Sequence, residues 1–254
     1  MTHNAEPVGA GLSSLRPLAR GTAVMVAGMI GFVAVVAWGL FVKHSDAITT
    51  WDQGLLGRIN AASSAGMDAA ARLTSVVFSP AGALVWIVGV VVVLWLVRRR
   101  LGDALFVGFT IGVVYAATYV VKEIVGRPRP AALPHVVAGL SVDTSPGYPS
   151  GHVAMSAALA VVLFLVVARR GRWLVALIGV VLVAWTAYAR LYAGAHYLDD
   201  VVASAVFAVT MGPLIYQVLH RIDATLGLVR AVNGLGRQPA ADPPSPARRP
   251  AVGE

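Results

Sequence analysis

The chain has 254 residues, 57% hydrophobic and 13% charged, with a mean hydropathy of +0.75. Soluble domains carry about 25% charged and about 45–50% apolar residues, so the composition excludes an ordinary soluble domain and a disordered chain. Cysteine is absent, which excludes disulfides, thiolate metal sites and cysteine nucleophiles. The net charge of +8 raises the question of where the cations lie.

Six runs lack Asp, Glu, Lys and Arg: 21–42, 73–97, 104–121, 144–168, 173–189 and 201–220. A bilayer core of ~30 Å takes ~20 such residues per helix. Proline suits a first helical turn, so Pro80 places the second helix start near residue 80. Pro146 and Pro149 place the fourth near Ser150. The runs are rich in Val and Ala without polar alternation, which argues against a membrane β-barrel. The expected fold class is all-α: a polytopic membrane protein with a bundle of six transmembrane helices over 21–222. Residues 1–20 and the Pro-rich 223–254 are expected as cytoplasmic tails, the second disordered.

The first run is too long for a signal-peptide core and reads as an uncleaved signal anchor. With the N-terminus in the cytoplasm, thirteen of the twenty basic residues fall on inner segments. That is the positive-inside pattern, and it explains the net charge without nucleic acid. In the outer segment 43–72, Trp51, Leu55, Leu56 and Ile59 recur at helical spacing, with Asp52, Gln53 and Arg58 on the other side. A short helix is expected there, either in the membrane interface or packed on the bundle.

Ionisable residues at membrane depth mark function by default. Three clusters qualify: Lys122, Arg127 and Arg129 after the third run; Ser150, Gly151 and His152 opening the fourth; Arg190, His196, Asp199 and Asp200 between the fifth and sixth. The alternating spans bring all three to the same face, the outer one. Lys122, Arg129 and Arg190 offer three cations, and arginine forks match phosphate oxygens. Ser150 and Gly151 sit where helix-start N–H groups bind anions. His196 and Asp200 share a helix face, so the carboxylate fixes a tautomer and leaves the other ring nitrogen as nucleophile or base. His152, from another helix, is placed to donate a proton. Such a set suits phosphoryl transfer.

Competing readings stand beside this one. Arg127 reads as an interfacial anchor, because alternate residues of Arg127-Pro128-Arg129-Pro130 point apart. Asp199 reads as a helix N-cap. His44 and His220 read as interfacial. Tyr148, Tyr192 and Tyr197 either line an entry or belong to an aromatic belt. His196 and Asp200 would suit zinc only with a third ligand, such as His135 or Asp143.

Lys122-Glu-Ile-Val-Gly-Arg-Pro-Arg129-Pro130, Pro149-Ser150-Gly151-His152 and Arg190-Leu-Tyr-Ala-Gly-Ala-His196-Tyr-Leu-Asp-Asp200 together resemble the three-part signature of the type 2 phosphatidic acid phosphatase (PAP2) superfamily. The resemblance implies a PAP2-like bundle and a lipid phosphate or pyrophosphate phosphatase. In that reading His196 attacks phosphorus to form a phosphohistidine, Asp200 orients it, and His152 protonates the leaving oxygen and then activates water. Lys122, Arg129, Arg190, Ser150 and Gly151 hold the phosphate. No cofactor and no metal are implied; the partners are a phosphorylated lipid and the bilayer, and the oligomeric state is left open. Undecaprenyl pyrophosphate and phosphatidic acid are both candidate substrates. The alternatives are a lipid phosphotransferase on the same fold and a non-catalytic anionic-lipid binder. The family's third motif usually begins Ser-Arg; here that position is Ala189. The histidine pair also implies a bell-shaped pH profile.

Overall fold

The structure is a computed structural model and describes residues 16–140 and 144–235. In chain order the helices are α1 (Gly21–Lys43), α2 (Asp46–Ala61), α3 (Ala65–Val77), α4 (Pro80–Arg98), α5 (Leu101–Val125), α6 (Gly151–Val166), α7 (Arg172–Tyr192), α8 (Leu198–Leu226) and α9 (Leu228–Leu235). The described residues contain no strand.

Five helices (α1, α4, α5, α7 with its preceding 3-10 turn, and α8) are long and apolar enough to cross a membrane, and α6 is a shorter apolar helix. The chain is a multi-pass all-helical membrane protein. The expected helix starts are observed. Pro80 opens α4 behind Ser79, whose Oγ accepts from the Gly82 N–H at 3.0 Å. Gly151 opens α6 behind Ser150.

The core lies where α5, α6 and α8 meet, with Val107, Ile111, Val114, Met155, Leu159, Val162 and Phe207 buried together. Large aliphatic side chains face outward on α4 and α7, among them Leu84, Val85, Ile178 and Val180. In water that exposure would be costly; against lipid it is the expected outer surface. Helix α1 lies close along α8 because its glycines leave no side chain in the way. A Cβ at Gly28 would sit 2.5 Å from Leu214, and one at Gly31 2.4 Å from Thr210. Small residues give this close approach in membranes. Further along α1, the Val35 carbonyl accepts from the Tyr148 hydroxyl at 2.6 Å. That contact anchors the loop leading into α6.

Three expectations require correction. Segment 43–72 forms two helices, not one, and the buried face of α2 carries Asp52, Leu56 and Asn60 while Trp51 is exposed. Polar side chains lie inside because they have partners there: Asn60 Nδ2 donates to the His135 carbonyl at 2.9 Å, and Asp52 pairs with Arg127. The helical region also runs past residue 222. Helix α8 continues to Leu226, and α9 docks on α5, where Asn233 Oδ1 accepts from the Gly102 N–H at 2.8 Å and Asn233 Nδ2 donates to Asp103 at 3.0 Å. The remainder of the tail and residues 1–15 fall outside the described residues. Thirdly, Tyr148, Tyr192 and Tyr197 are all buried, so they neither line an entry nor form a belt.

Candidate active site

Lys122 is buried on the last turn of α5. Gly126, at φ 59°, ends that helix in the left-handed conformation glycine favours. The chain then runs extended through Arg127-Pro128-Arg129-Pro130, and its two arginines point to different partners. Arg129 Nε donates to the Ser145 carbonyl at 3.0 Å and Nη1 to the Ala195 carbonyl at 2.8 Å. Lys122 Nζ donates to the Pro146 carbonyl at 2.6 Å. Both cations thus brace the loop that delivers Ser150.

The start of α6 is tied to the start of α8. The Ser150 N–H donates to the Asp200 carbonyl at 3.2 Å, and Ser204 Oγ donates to the Ser150 carbonyl at 3.0 Å. Ser150 Oγ is buried and has no hydrogen-bond partner among the described residues. At Gly151 an added Cβ would come no nearer than 3.9 Å to Tyr115. The protein itself therefore leaves room beside this helix terminus.

His196 sits at the end of the turn between α7 and α8, with its side chain 1% exposed. Its Nδ1 lies 3.5 Å from Asp200 Oδ2, and its Nε2 lies 3.3 Å from Arg129 Nη1. A guanidinium can only donate, so Nε2 must present its lone pair and Nδ1 carries the hydrogen toward Asp200. Burial is the first cause holding His196 well below the usual histidine range; the charges of Arg129, Arg190, Lys122 and His152 follow. All four groups act on this one ring, so the three sequence clusters converge. His152 Nε2 lies 3.1 Å from the Ser75 carbonyl. A carbonyl only accepts, so Nε2 carries a hydrogen in this contact.

The neutral state of His196 sets a pH expectation. A histidine whose folded pKa is depressed keeps its lone pair as the pH falls past the ordinary value and loses it only at more acid pH. With His196 as the lone-pair donor in kcat/KM, its acid limb is expected well below 6.5, and a His196-dependent limb centred at the ordinary histidine value or above would contradict that role for the ring. A pH series of kcat/KM, which reports the free enzyme, checks it.

Arg127 departs from the sequence expectation. It is not an interfacial anchor: its side chain is 1% exposed, with Nη1 at 2.9 Å from Asp200 Oδ1 and Nη2 at 3.2 Å from Asp52 Oδ2. Its guanidinium stacks over Tyr197 at 4.4 Å. Asp199 is not the N-cap either. Tyr197 holds that position, and Asp199 Oδ1 accepts from Trp38 Nε1 at 2.9 Å. His135 is drawn away from His196 by Asp68, at 2.8 Å. Asp143 lies outside the described residues. Among the described residues no group of three His, Asp or Glu side chains gathers as a metal site.

Two contributors escaped the sequence reading. Asp52 comes from α2. Ser75 comes from the last turn of α3, where its Oγ donates to the Ala71 carbonyl at 2.8 Å and accepts from Arg190 Nη1. The hydroxyl that meets Arg190 thus arrives from α3, while Ala189 is buried without one. Nothing local in 43–77 marks either residue; only the pairing of a lone acid with Arg127 would have exposed Asp52.

Comparison with known proteins places these residues in a family. The model described as the PAP2 superfamily matches residues 103–223, which include all three motifs. A lipid A 4'-phosphatase from Bacteroides thetaiotaomicron is 30% identical over 169 residues, covering 61% of this chain and 73% of its own length. Among solved structures, the first transmembrane PAP2 type phosphatidylglycerolphosphate phosphatase from Bacillus subtilis superposes with a TM-score of 0.58 at 19% identity, over 82% of this chain and 98% of that one. LpxE from Aquifex aeolicus gives 0.50 at 21% identity, over 64% and 92%. The chain belongs to the PAP2 superfamily, in its membrane lipid phosphatase branch, and is a phosphate monoester hydrolase.

Proposed function

We propose that the protein dephosphorylates a phosphorylated lipid at the extracytoplasmic face through a phosphohistidine on His196. The observation that carries this reading is the His196 ring: its Nε2 lone pair lies beside Arg129 while Nδ1–H faces Asp200. Nε2 attacks phosphorus as the bond to the leaving oxygen breaks. His152 supplies the proton to that oxygen. Lys122, Arg129 and Arg190 neutralise the phosphoryl oxygens, with Ser150 Oγ and the Gly151 N–H completing the cradle. Water then attacks the phosphohistidine, giving up its proton to His152, and phosphate leaves with the site restored.

Two features support a lipid substrate and the outer face. An apolar groove of about 680 Å³ runs between α6, α7 and α8, from Leu191 and Leu198 beside the site toward Phe164 and Pro213. It suits a hydrocarbon tail whose phosphate reaches the cations. The distribution of Lys and Arg supports the orientation with both termini in the cytoplasm and the site outside.

The test is phosphate release by the purified protein in detergent with EDTA. Undecaprenyl pyrophosphate, phosphatidic acid, phosphatidylglycerolphosphate and lipid A serve as substrates, and His196→Ala as the blank. Release that survives EDTA and vanishes in the variant is expected, and the fastest substrate names the lipid class. Strict dependence on added divalent metal would overturn the mechanism. Loss of the phosphate from the lipid only when an alcohol is added, with the phosphate recovered on that alcohol and none released free, would make the protein a phosphotransferase.

A further inference from the structure

Arg127 lies between two carboxylates that are no more exposed than itself. Asp200 and Asp52 are each 0% exposed at the side chain. Burying a charge is costly unless it is paired, and Asp200 alone would neutralise Arg127. A second buried acid is not needed to satisfy the arginine. Its effect is to leave the buried group Asp52–Arg127–Asp200 with one net negative charge.

We propose that Asp52 is a positioning residue for the phosphatase reaction: by taking up the charge of Arg127, it leaves Asp200 its full negative charge for His196. The proposal rests on the reading of His196 as nucleophile. Phosphorylation of Nε2 makes the imidazole cationic, and the carboxylate facing Nδ1 stabilises that cation. Without Asp52, the guanidinium bonded to Asp200 at 2.9 Å would have no second acid to offset it, and the pair would present no net charge to the ring.

The surrounding contacts hold Asp52 in place for this work. It projects from the buried face of α2, one turn before Leu56 and two before Asn60. Asn60 grips the loop after Arg129 from both sides, its Oδ1 accepting from the His135 N–H at 3.0 Å while Nδ2 donates to the His135 carbonyl. Helix α2 is thereby fixed against the loop that carries both arginines. Asp200 Oδ2, the oxygen toward His196, accepts from the Tyr197 N–H at 2.9 Å, and Arg127 takes the other oxygen. Asp199 also meets Asp52, carboxylate to carboxylate, while its Oδ1 accepts from Trp38 Nε1 at 2.9 Å. Burial, then Asp199, raises Asp52 to about 6, so at about pH 8 Asp52 is charged.

The experiment measures kcat and KM at about pH 8, where Asp52 is ionised, on the fastest substrate of the panel. The proteins are wild type, His196→Ala, Asp52→Asn, Asp52→Glu and the double variant Asp52→Asn/Arg127→Gln. Asp52→Asn is expected to lower kcat at least tenfold with KM changed less than threefold, because the phosphate-binding residues are untouched. Asp52→Glu restores part of the loss. In the double variant Asp200 again holds one uncompensated charge, and the introduced carboxamide offers it a neutral donor. That variant is expected to exceed Asp52→Asn in kcat by several-fold. A merely structural aspartate predicts the opposite order, since the double variant removes more contacts. A loss smaller than tenfold in Asp52→Asn, or a double variant no faster than it, overturns the proposal. If Asp52→Asn does not fold, the double variant decides: kcat within tenfold of wild type supports the proposal, and a larger loss overturns it. Phosphate release that persists in His196→Ala would overturn the reading of the nucleophile and the proposal with it; His196-dependent release with an indifferent Asp52 overturns the proposal alone.

Discussion

Replacing His196 with alanine is expected to lower phosphate release by about ten-thousandfold or more, whatever the leaving group, whereas His152→Ala is expected to cost about 10²–10⁴-fold and only for poor leaving groups. The difference follows from where each ring sits. In the proposed mechanism His196 Nε2 is the atom that bonds phosphorus, so its loss removes the covalent route itself. His152 moves a proton, and a leaving group that departs as a stable anion needs none. Comparing an alkyl lipid phosphate with p-nitrophenyl phosphate separates the two: His152→Ala should recover most of its first-step rate on the nitrophenyl ester, and His196→Ala should not. Equal losses for both variants on both substrates would mean that the histidines do not divide the work in this way.

The same geometry explains why the two histidines are set so differently. His196 is sealed in and surrounded by cations, which keeps it neutral. That environment is hostile to a lone imidazolium but becomes less so once a phosphoryl group, with its negative oxygens, is attached. The cations that depress the histidine are the ones proposed to hold the phosphate. His152 is partly exposed and braced by the Ser75 carbonyl, a backbone acceptor for its Nε2 hydrogen. Helix α3 therefore acts on two residues at once, through the carbonyl of Ser75 on His152 and through its hydroxyl on Arg190.

The membrane helices and the gathering of Lys122, Arg129, Ser150, His152, Arg190, His196 and Asp200 at one end of the bundle were legible in the sequence, because they depend on two robust signals. Apolar run length fixes the spans, and alternation of span direction brings remote polar clusters together. The choice of Asp200 over Asp199 was legible too, since four-residue spacing puts it on the face of His196. Asp52 and Ser75 were not legible. Hydropathy assigns a carboxylate to the outside of an amphipathic helix, and on α2 that rule holds for Leu56 and Arg58 but fails at two positions: Trp51 faces out and Asp52 faces in. Burial there is decided by Arg127, a partner 75 residues away, and no local pattern records it. Arg127 itself was misread for the same reason. The extended Arg-Pro-Arg-Pro segment correctly separates its two arginines, but does not say which of the two directions leads into the protein.

That separation leads to contrasting outcomes for two neighbouring arginines. Arg127→Ala would strand Asp52 and Asp200 as buried carboxylates with their shared cation gone. Breaking a buried ion pair in this way costs about 3–5 kcal/mol, against a total stability of about 5–15 kcal/mol for a typical domain. The variant is expected to melt far below wild type in detergent, or to be recovered mainly as aggregate. Arg129→Ala has a different consequence. Its partners include the Ser145 and Ala195 carbonyls and Ser145 Oγ, on residues that are only half-buried. The variant is expected to keep nearly the wild-type melting temperature and to lose affinity for vanadate, a phosphate mimic, by about ten- to a hundredfold, as removal of charge-assisted hydrogen bonds worth about 1.5–3 kcal/mol implies. A thermal scan and a vanadate inhibition curve on both proteins read the two effects independently. A stable Arg127→Ala protein would show that water or a proton compensates the two acids. A destabilised Arg129→Ala protein with unchanged vanadate affinity would leave Arg129 no role beyond bracing the loop and leave Lys122 and Arg190 as the phosphate clamp.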